Sequence, residues 1–278
     1  MAPRPDPREV VELMARHRVT TFLSVPTFHY LVTHLKGLET YDLSCLRVIG
    51  YSGSPMPPQT IAALRRCFPQ ASLHNFFGLT ETISITHVTS NADADLRPTT
   101  IGKVLPDVGA AILDDAGNEL GPNQVGRLCF YRGNVITGYW NQPERLAESL
   151  TPDGKWFDSG DLASVDEEGY TYLHGRKKEM IIVAGENVFA LEVERCLLEC
   201  PGVREVAVVG VPATGARAYL GELIKAVVVP SGERELTALD IKRHVHERLA
   251  SYKVPHLVEF RDSLPRNPSG KVLKQALQ

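Results

Sequence analysis

Short apolar runs of strand character alternate with helical patterns in the amino-terminal part of this sequence. Residues 20–25, 46–51 and 72–76 are strand-like, and apolar residues recur at helical spacing over 10–17 and 57–68. Strands that alternate with helices pair in parallel, because a crossover connection is needed to re-enter a sheet in the same direction. The pattern therefore predicts an α/β fold that begins with a partial parallel sheet.

The pattern changes twice further along the chain. Over 101–173, short alternating runs are broken by polar turns that contain glycine, which predicts antiparallel hairpins or a small barrel-like subdomain. From residue 178 onward strands and helices mix: the strands are predicted at 180–183, 206–211 and 223–229, and the helices at 191–199 and 237–250. We expect a compact α+β domain there. The predicted domains are 1–177 and 178–278.

Composition limits the classes of partner. The chain has 278 residues and a net charge of −3 with both signs interspersed, so no strong field attracts nucleic acid or an anionic membrane. No apolar stretch reaches membrane-spanning length, and residues 1–9 resemble neither a signal nor a transit peptide. The five cysteines lack zinc-site spacing. These features predict a cytoplasmic protein with a small-molecule role.

Polar turns follow two of the predicted parallel strands, where ligands gather in such sheets. The first is Ser-Gly-Ser-Pro at 52–55, and the second is Phe-Gly-Leu-Thr-Glu-Thr at 77–82. An aromatic ring, hydroxyls and a carboxylate suit purine stacking, phosphate contact and magnesium ligation. The alternative is a polar turn in which Thr80 or Thr82 only caps the following segment.

Three charged positions further along are also candidates. Asp161 follows a glycine within an apolar stretch, where its carboxylate could accept hydrogen bonds from both ribose hydroxyls. Arg176, Lys177 and Lys178 lie at the predicted domain boundary, and Lys271 ends a proline- and glycine-containing loop as a movable point charge. An Asx turn, a solvated cationic face and an ordinary surface lysine are the respective alternatives.

Taken in order, these motifs resemble the acyl-CoA synthetase, adenylation-domain and luciferase superfamily of AMP-binding, adenylate-forming ligases. The resemblance rests on five segments and extends over essentially the whole chain: 51–55, 76–82, 159–161, 175–178 and 268–271. It implies that an acid attacks ATP to give an acyl-adenylate, after which a thiol displaces AMP. It also implies that 1–177 is a truncated large domain and 178–278 a small mobile one.

The resemblance assigns roles by position. Gly53, Ser54 and Pro55 match the adenine-pocket turn, and Phe77 stands where a stacking tyrosine is usual. The remaining matches are Thr80 for phosphate contact, Glu81 for Mg²⁺, Asp161 and Arg176 for ribose or phosphate, Lys178 for the hinge, and Lys271 for the catalytic lysine. The cofactors implied are ATP or AMP, Mg²⁺, and the thiol of CoA or phosphopantetheine, with an acyl carrier protein as a conceivable partner.

The sequence differs from the family in that it lacks the phosphate-binding loop. No segment matches the glycine-, serine- and threonine-rich loop that holds the β- and γ-phosphates in relatives. We therefore expect unaided adenylation by this chain to be severely impaired, and an exposed sheet edge that could form a homodimer. The alternative function is a natural short form that acts on a preformed acyl thioester or adenylate, or binds a carrier protein.

The acid is poorly defined by the sequence. The segment 22–30 is apolar and could form one wall of an acyl pocket, which favours a fatty or aromatic acid. Its aromatic residues could equally belong to the core.

Overall fold

The computed structural model describes residues 6–232, 234–267 and 270–278, so Pro268 and Ser269 of the loop before Lys271 lie outside the described residues. The chain forms two compact units. The first contains the chain up to Ser159 together with Ala163–Leu173, and the second contains Gly160–Leu162 and His174–Gln278. Within the described residues, no helix is both long and apolar enough to cross a bilayer.

One large sheet contains nine strands. In chain order they are β1 (Thr21–Ser24), β2 (Val48–Tyr51), β3 (Ser72–Gly78), β4 (Ile85–Val88), β5 (Thr100–Val104), β6 (Ala110–Leu113), β7 (Gly126–Tyr131), β8 (Trp156–Val165) and β9 (Tyr170–Arg176). Their spatial order is β1-β2-β3-β4-β5-β9-β8-β7-β6. Strands β1 to β3 pair in parallel, whereas β3–β4, β4–β5, β5–β9 and β6–β7 pair antiparallel. Both the predicted parallel part and the predicted antiparallel part are confirmed.

Helices cover the parallel strands. The helices of the first unit are α1 (Pro7–Arg16), α2 (Pro26–Thr33), α3 (Pro58–Cys67), α4 (Asp93–Leu96) and α5 (Pro143–Ala147). Val11 of α1 and Leu64 of α3 are fully buried with Ile49 and Leu73 of the sheet. Strand β1 is one edge strand of the sheet, and its Leu23 is 62% exposed.

Helix α2 was not predicted, because Pro26 indicated only the end of a strand. Proline also fits the first turn of a helix, where no backbone N–H is needed, and Pro26 occupies that position. Phe22 and Phe28 pack against the buried core, with ring centroids 6.1 Å apart. The structure thus supports the core interpretation of these two rings over the acyl-pocket interpretation.

The second unit is the α+β arrangement that the sequence predicts. Its elements are β10 (Met180–Val183), β11 (Glu186–Phe189), α6 (Ala190–Leu198), β12 (Val203–Pro212), β13 (Glu222–Pro230), α7 (Ala238–His246) and β14 (Leu257–Phe260). Strands β12, β13 and β14 form one sheet, and β10 pairs with β11 as a hairpin. Thr237 caps α7 in a reciprocal capping box with Asp240.

A separate hydrophobic cluster packs on each face of the three-stranded sheet. Val208 and Ile224 pack with α6 and α7 residues such as Val193 and Ile241. On the other face, Leu277 near the carboxyl terminus is buried against Val227 and its neighbours. The segment that follows Lys271 is therefore docked on the sheet.

The turn between β10 and β11 has only two residues. Ala184 and Gly185 have φ values of 51° and 88°, which is the left-handed pair that a tight hairpin of right-twisted strands requires. Gly185 adopts this conformation readily, but the Cβ of Ala184 makes it unfavourable there. Ala184 is exposed, so a substitution there changes the backbone strain without removing a buried contact.

We expect Ala184→Gly to stabilise the chain by roughly 0.5–1 kcal/mol, because relief of the left-handed strain exceeds the added flexibility of the unfolded chain. Urea unfolding followed by circular dichroism measures the change. Ala216→Gly is the matched control, since Ala216 is exposed in the same unit and has no positive φ. An equal or lower stability of Ala184→Gly would contradict the strain.

Candidate functional site

The turn after β2 is exposed between two buried anchors. Tyr51 and Met56 are 3% and 5% exposed, whereas Gly53, Ser54 and Pro55 between them are exposed. Gly53 has a φ of 88°, which lets the chain turn sharply. The predicted adenine-pocket turn is therefore presented to solvent at the carboxyl end of a parallel strand.

Phe77 and Gly78 end β3, the next parallel strand. Phe77 is half-buried, and its ring meets His87 edge-on at a centroid distance of 5.7 Å. A Cβ on Gly78 would lie 2.4 Å from the backbone oxygen of Ser84, so only glycine permits this approach of β3 and β4. The close approach forces the chain into a tight turn over 79–84.

Thr82 holds that turn. Its Oγ1 accepts a hydrogen bond from the Leu79 N–H at 3.0 Å and lies 2.9 Å from the Ser84 carbonyl oxygen, to which it can donate. Thr82 is buried, whereas Thr80 is exposed and Glu81 is half-buried. The capping alternative thus describes Thr82, and Thr80 and Glu81 remain candidates for ligand contact.

Glu81 is positioned by a segment that the sequence did not single out. The Tyr139 hydroxyl donates to Glu81 Oε1 at 2.7 Å, and the Ile136 N–H donates to the Glu81 carbonyl oxygen at 2.8 Å. Burial, the hydrogen bond to Glu81 and its negative charge raise the pKa of Tyr139 to about 12, so the phenol keeps its proton. No local signal could reveal a contact between residues so far apart in sequence.

The donor chemistry of Glu81 fits a magnesium ion that is also held by phosphates. Mg²⁺ is commonly bound through one or two carboxylates, with substrate phosphates and waters as the other ligands. Among the described residues, no group of three or more His, Cys, Asp or Glu side chains could hold a metal by itself. A single carboxylate such as Glu81 is thus compatible with Mg²⁺ only in company with a phosphate ligand.

A buried carboxylate and a guanidinium group form an ion pair in the second unit. Asp161 is 8% exposed, and its Oδ1 lies 3.2 Å from Arg176 Nε. A buried carboxylate needs such a cation or strong hydrogen-bond donors, because desolvation of an isolated charge is very costly. The Asp161–Arg176 pair fixes a negative group next to a positive one, and this arrangement suits a ligand with both hydroxyl and phosphate groups.

An open cavity adjoins this pair. Its volume is about 340 Å³, and it is lined by Gly160, Arg176, Lys177 and Lys178. Lys177 and Lys178 are exposed in a short 3₁₀ turn, Lys177–Glu179, between β9 and β10. The cavity therefore carries concentrated positive charge, as an anion site requires.

Lys271 stands on a hydrogen-bonded loop. The Lys271 N–H donates to Asn267 Oδ1 at 2.9 Å, and Arg266 donates to the Gly270 carbonyl oxygen at 2.6 Å while it pairs with Glu205. These contacts fix the backbone of the loop and leave the Lys271 side chain exposed.

The ammonium of Lys271 lies in a mixed electrostatic field. Partial loss of hydration and the positive charge of Arg176 lower its pKa from the ordinary lysine value, against the opposing attraction of Glu179 and Asp161. Lys178 adds a smaller lowering effect. The structure thus brings Asp161, Arg176 and Lys271 into one electrostatic neighbourhood of the second unit.

The predicted residues accordingly fall into two sets. Gly53, Ser54, Pro55, Phe77, Thr80 and Glu81 belong to the first unit, and Asp161, Arg176, Lys178 and Lys271 belong to the second. His87 and Cys129 are poor candidates for chemistry that needs a charged group. Burial lowers the pKa of His87 to about 4 and raises that of Cys129 to about 12, so both are neutral near pH 7.

We expect the pKa of Lys271 to fall in Asp161→Asn and to rise in Arg176→Gln, because one variant removes an attracting charge and the other a repelling charge. Competitive acetylation over a range of pH, with mass spectrometry of the Lys271 peptide, measures both. Arg243→Gln on α7 is the control, since Arg243 pairs with Asp240 instead. Shifts in the same direction for both variants would refute this electrostatic description.

The sequence matches two protein-family models and many known ligases. Residues 1–140 match the family described as AMP-binding enzyme, and residues 192–271 match the AMP-binding enzyme C-terminal domain. Long-chain-fatty-acid–CoA ligase from Escherichia coli O157:H7 is 36% identical over 278 residues, which cover 98% of this chain and 48% of that protein. Fatty acid–[acyl-carrier-protein] ligase ScoC from Streptomyces coeruleorubidus is 34% identical, with 98% of this chain and 51% of that protein covered.

A solved structure shares the fold. Amide bond synthetase McbA from Marinactinospora thermotolerans matches with a TM-score of 0.89 and 33% identity, over 99% of this chain and 54% of that one. The chain spans about half the length of the curated relatives it matches. The family expected from the motifs is thus confirmed, and the chain belongs to the AMP-binding, adenylate-forming enzymes.

Proposed function

We propose that this chain is the nucleotide- and lysine-bearing part of an AMP-forming acid–thiol ligase. The observation that carries the proposal is the buried Asp161–Arg176 pair with the Lys271 ammonium in its electrostatic neighbourhood. Asp161 would accept hydrogen bonds from the ribose hydroxyls of ATP or AMP, and Arg176 would contact ribose or phosphate. The remaining positions, from Gly53 to Glu81, would bind adenine and the phosphates.

The proposed reaction has two steps. A carboxylate oxygen of the acid attacks the α-phosphorus of ATP, and the bond to pyrophosphate breaks with its electron pair on pyrophosphate. A thiolate sulfur then attacks the acyl carbon and forms a carbon–sulfur bond, and AMP leaves with the electron pair of the single bond between that carbon and a phosphate oxygen. Lys271 would stabilise the charge that builds between carboxylate and α-phosphate in the first step, because a nearby ammonium is attracted more strongly as that charge grows.

Magnesium would add to this stabilisation when bound, by neutralising phosphate charge. Glu81 would hold it, with Thr80 on a phosphate oxygen. Tyr139 would keep the Glu81 carboxylate oriented toward that position, since its hydroxyl donates to one of the two oxygens. These residues would bind and orient the ligands.

The acid and the acceptor are proposed from the relatives. Two of them act, by name, on fatty acids, with CoA or an acyl carrier protein as the other substrate. We therefore infer a carboxylic acid of fatty or aromatic type and a thiol of CoA or phosphopantetheine. Lys178 would be the hinge at the boundary between 1–177 and 178–278, with the thiol entering along 184–187. A cytoplasmic location is part of this proposal.

Asp161→Asn should weaken AMP binding by about tenfold or more, because a hydrogen bond to a charged acceptor contributes about 1.5–3 kcal/mol. Isothermal titration of the chain with AMP measures the affinity. Asp262→Asn is the matched control, since Asp262 is an exposed carboxylate of the same unit. Equal affinity in both variants would remove Asp161 from the proposed site.

The reaction class is tested with ATP, Mg²⁺, a panel of fatty and aromatic acids, and CoA. Release of pyrophosphate and AMP with formation of an acyl-CoA is the expected result for a full-length protein that combines this sequence with the phosphate-binding loop, because adenylation by this chain alone is expected to be severely impaired. Formation of acyl-CoA only from a preformed acyl-adenylate, without turnover of ATP, would favour the short-form alternative. No product from either substrate set would contradict both.

A further inference from the structure

A second lysine near the carboxyl terminus is held between two carboxylates. Lys274 Nζ lies 3.0 Å from Glu179 Oε2 and 2.8 Å from Glu194 Oε1. The side chains of Lys274 and Glu194 are 22% and 13% exposed. This group of charges, the Glu179–Lys274–Glu194 triad, lies within the second unit.

The triad joins separate elements of that unit. Glu194 belongs to α6 and also accepts a hydrogen bond from the Val208 N–H of β12 at 2.8 Å. Glu179 ends the 3₁₀ turn that contains Lys178, and Lys274 begins the last 3₁₀ turn of the chain. One ammonium therefore ties the proposed hinge turn to a helix and to the segment that carries Lys271.

Burial and the neighbouring charges oppose each other in setting the pKa values of the triad. Burial works against the ammonium of Lys274, but Glu194 and Glu179 outweigh it and raise the Lys274 pKa. Burial raises the pKa of Glu194 despite the opposing Lys274 charge. A buried ion group of this kind contributes little net stability to a fold, which is consistent with a positioning role.

Glu179 acts on two lysines. It bonds directly to Lys274, and its charge also reaches the ammonium of Lys271. Without Lys274, the Glu179 carboxylate would lack its direct partner and could attract Lys271 instead. A Lys271 paired in this way would be less available to an incoming carboxylate or phosphate.

We propose that Lys274 is a positioning residue for Lys271: it engages Glu179 in the triad and thereby keeps the Lys271 ammonium available to ligand anions. The importance of this availability rests on the proposed function. The electrostatic effect itself does not, because it is present without any ligand.

The test measures the acetylation rate of Lys271 near pH 8, without nucleotide, by mass spectrometry. The variant Lys274→Met with Glu194→Gln frees Glu179 and leaves no buried carboxylate at position 194. We expect the rate to fall by about threefold or more, since a captured ammonium gives up its proton less readily. Addition of Glu179→Gln to this variant should restore the rate to within about twofold of the parent.

Lys225→Met is the control for a loosened carboxyl terminus. Lys225 donates to the Leu277 carbonyl oxygen at 2.9 Å and pairs with Glu259, so its loss disturbs the same segment without freeing Glu179. Its Lys271 rate should match the parent. An unchanged rate in the Lys274 variant, no restoration by Glu179→Gln, or an equal fall in Lys225→Met would overturn the proposal. Circular dichroism confirms that each variant is folded.

If the Lys274 variant does not fold, Glu179→Gln alone gives the answer. Lys274 already engages Glu179 in the parent, so this change should alter the Lys271 rate by less than about twofold. An increase of more than about threefold would show that Glu179 mainly neutralises Lys271, which contradicts the proposal. If the parent chain does not bind AMP while the Lys271 rates change as predicted, the proposed function fails and the positioning role of Lys274 stands.

Discussion

The buried Asp161 carboxylate is a strong electrostatic constraint on its surroundings in the second unit. A charge removed from water must be compensated, and Arg176 supplies the compensation at 3.2 Å. Arg176 lies at the end of β9, directly before the 3₁₀ turn Lys177–Glu179. The partner of this buried carboxylate is therefore the residue that directly precedes the cationic turn and β10.

The candidate groups Asp161, Arg176 and Lys271 of this unit interact electrostatically. Arg176 and Lys178 repel the Lys271 ammonium, while Asp161 and Glu179 attract it. Such a balance does not tie the lysine to one partner, which suits a group that must interact with a ligand anion. In the first unit, hydrogen bonds of Thr82 fix the turn that contains Thr80 and Glu81. The side chains of Thr80 and Glu81 remain available for ligand contact.

Local patterns predicted most of the regular elements. Alternation of apolar runs located β2, β3, β10, β12 and β13, and the threonine before α7 marked its start correctly. The predicted end of that helix was wrong, since α7 ends at His246. The short strands β11 and β14 were missed, as was α2, where Pro26 fits both a strand end and a helix start.

The candidate site was predictable only as a set of motif residues. The order of the motifs located Asp161, Arg176 and Lys271, but the Tyr139–Glu81 and Lys274–Glu194 contacts join distant residues with no periodic signal.

The most direct test of the proposed nucleotide site measures the protection of Lys271 from acetylation by a hydrolysis-resistant acyl-sulfamate analogue of the adenylate. We expect strong protection that is lost in Asp161→Asn, and an unchanged Lys271 rate at saturating analogue would contradict the proposed nucleotide site.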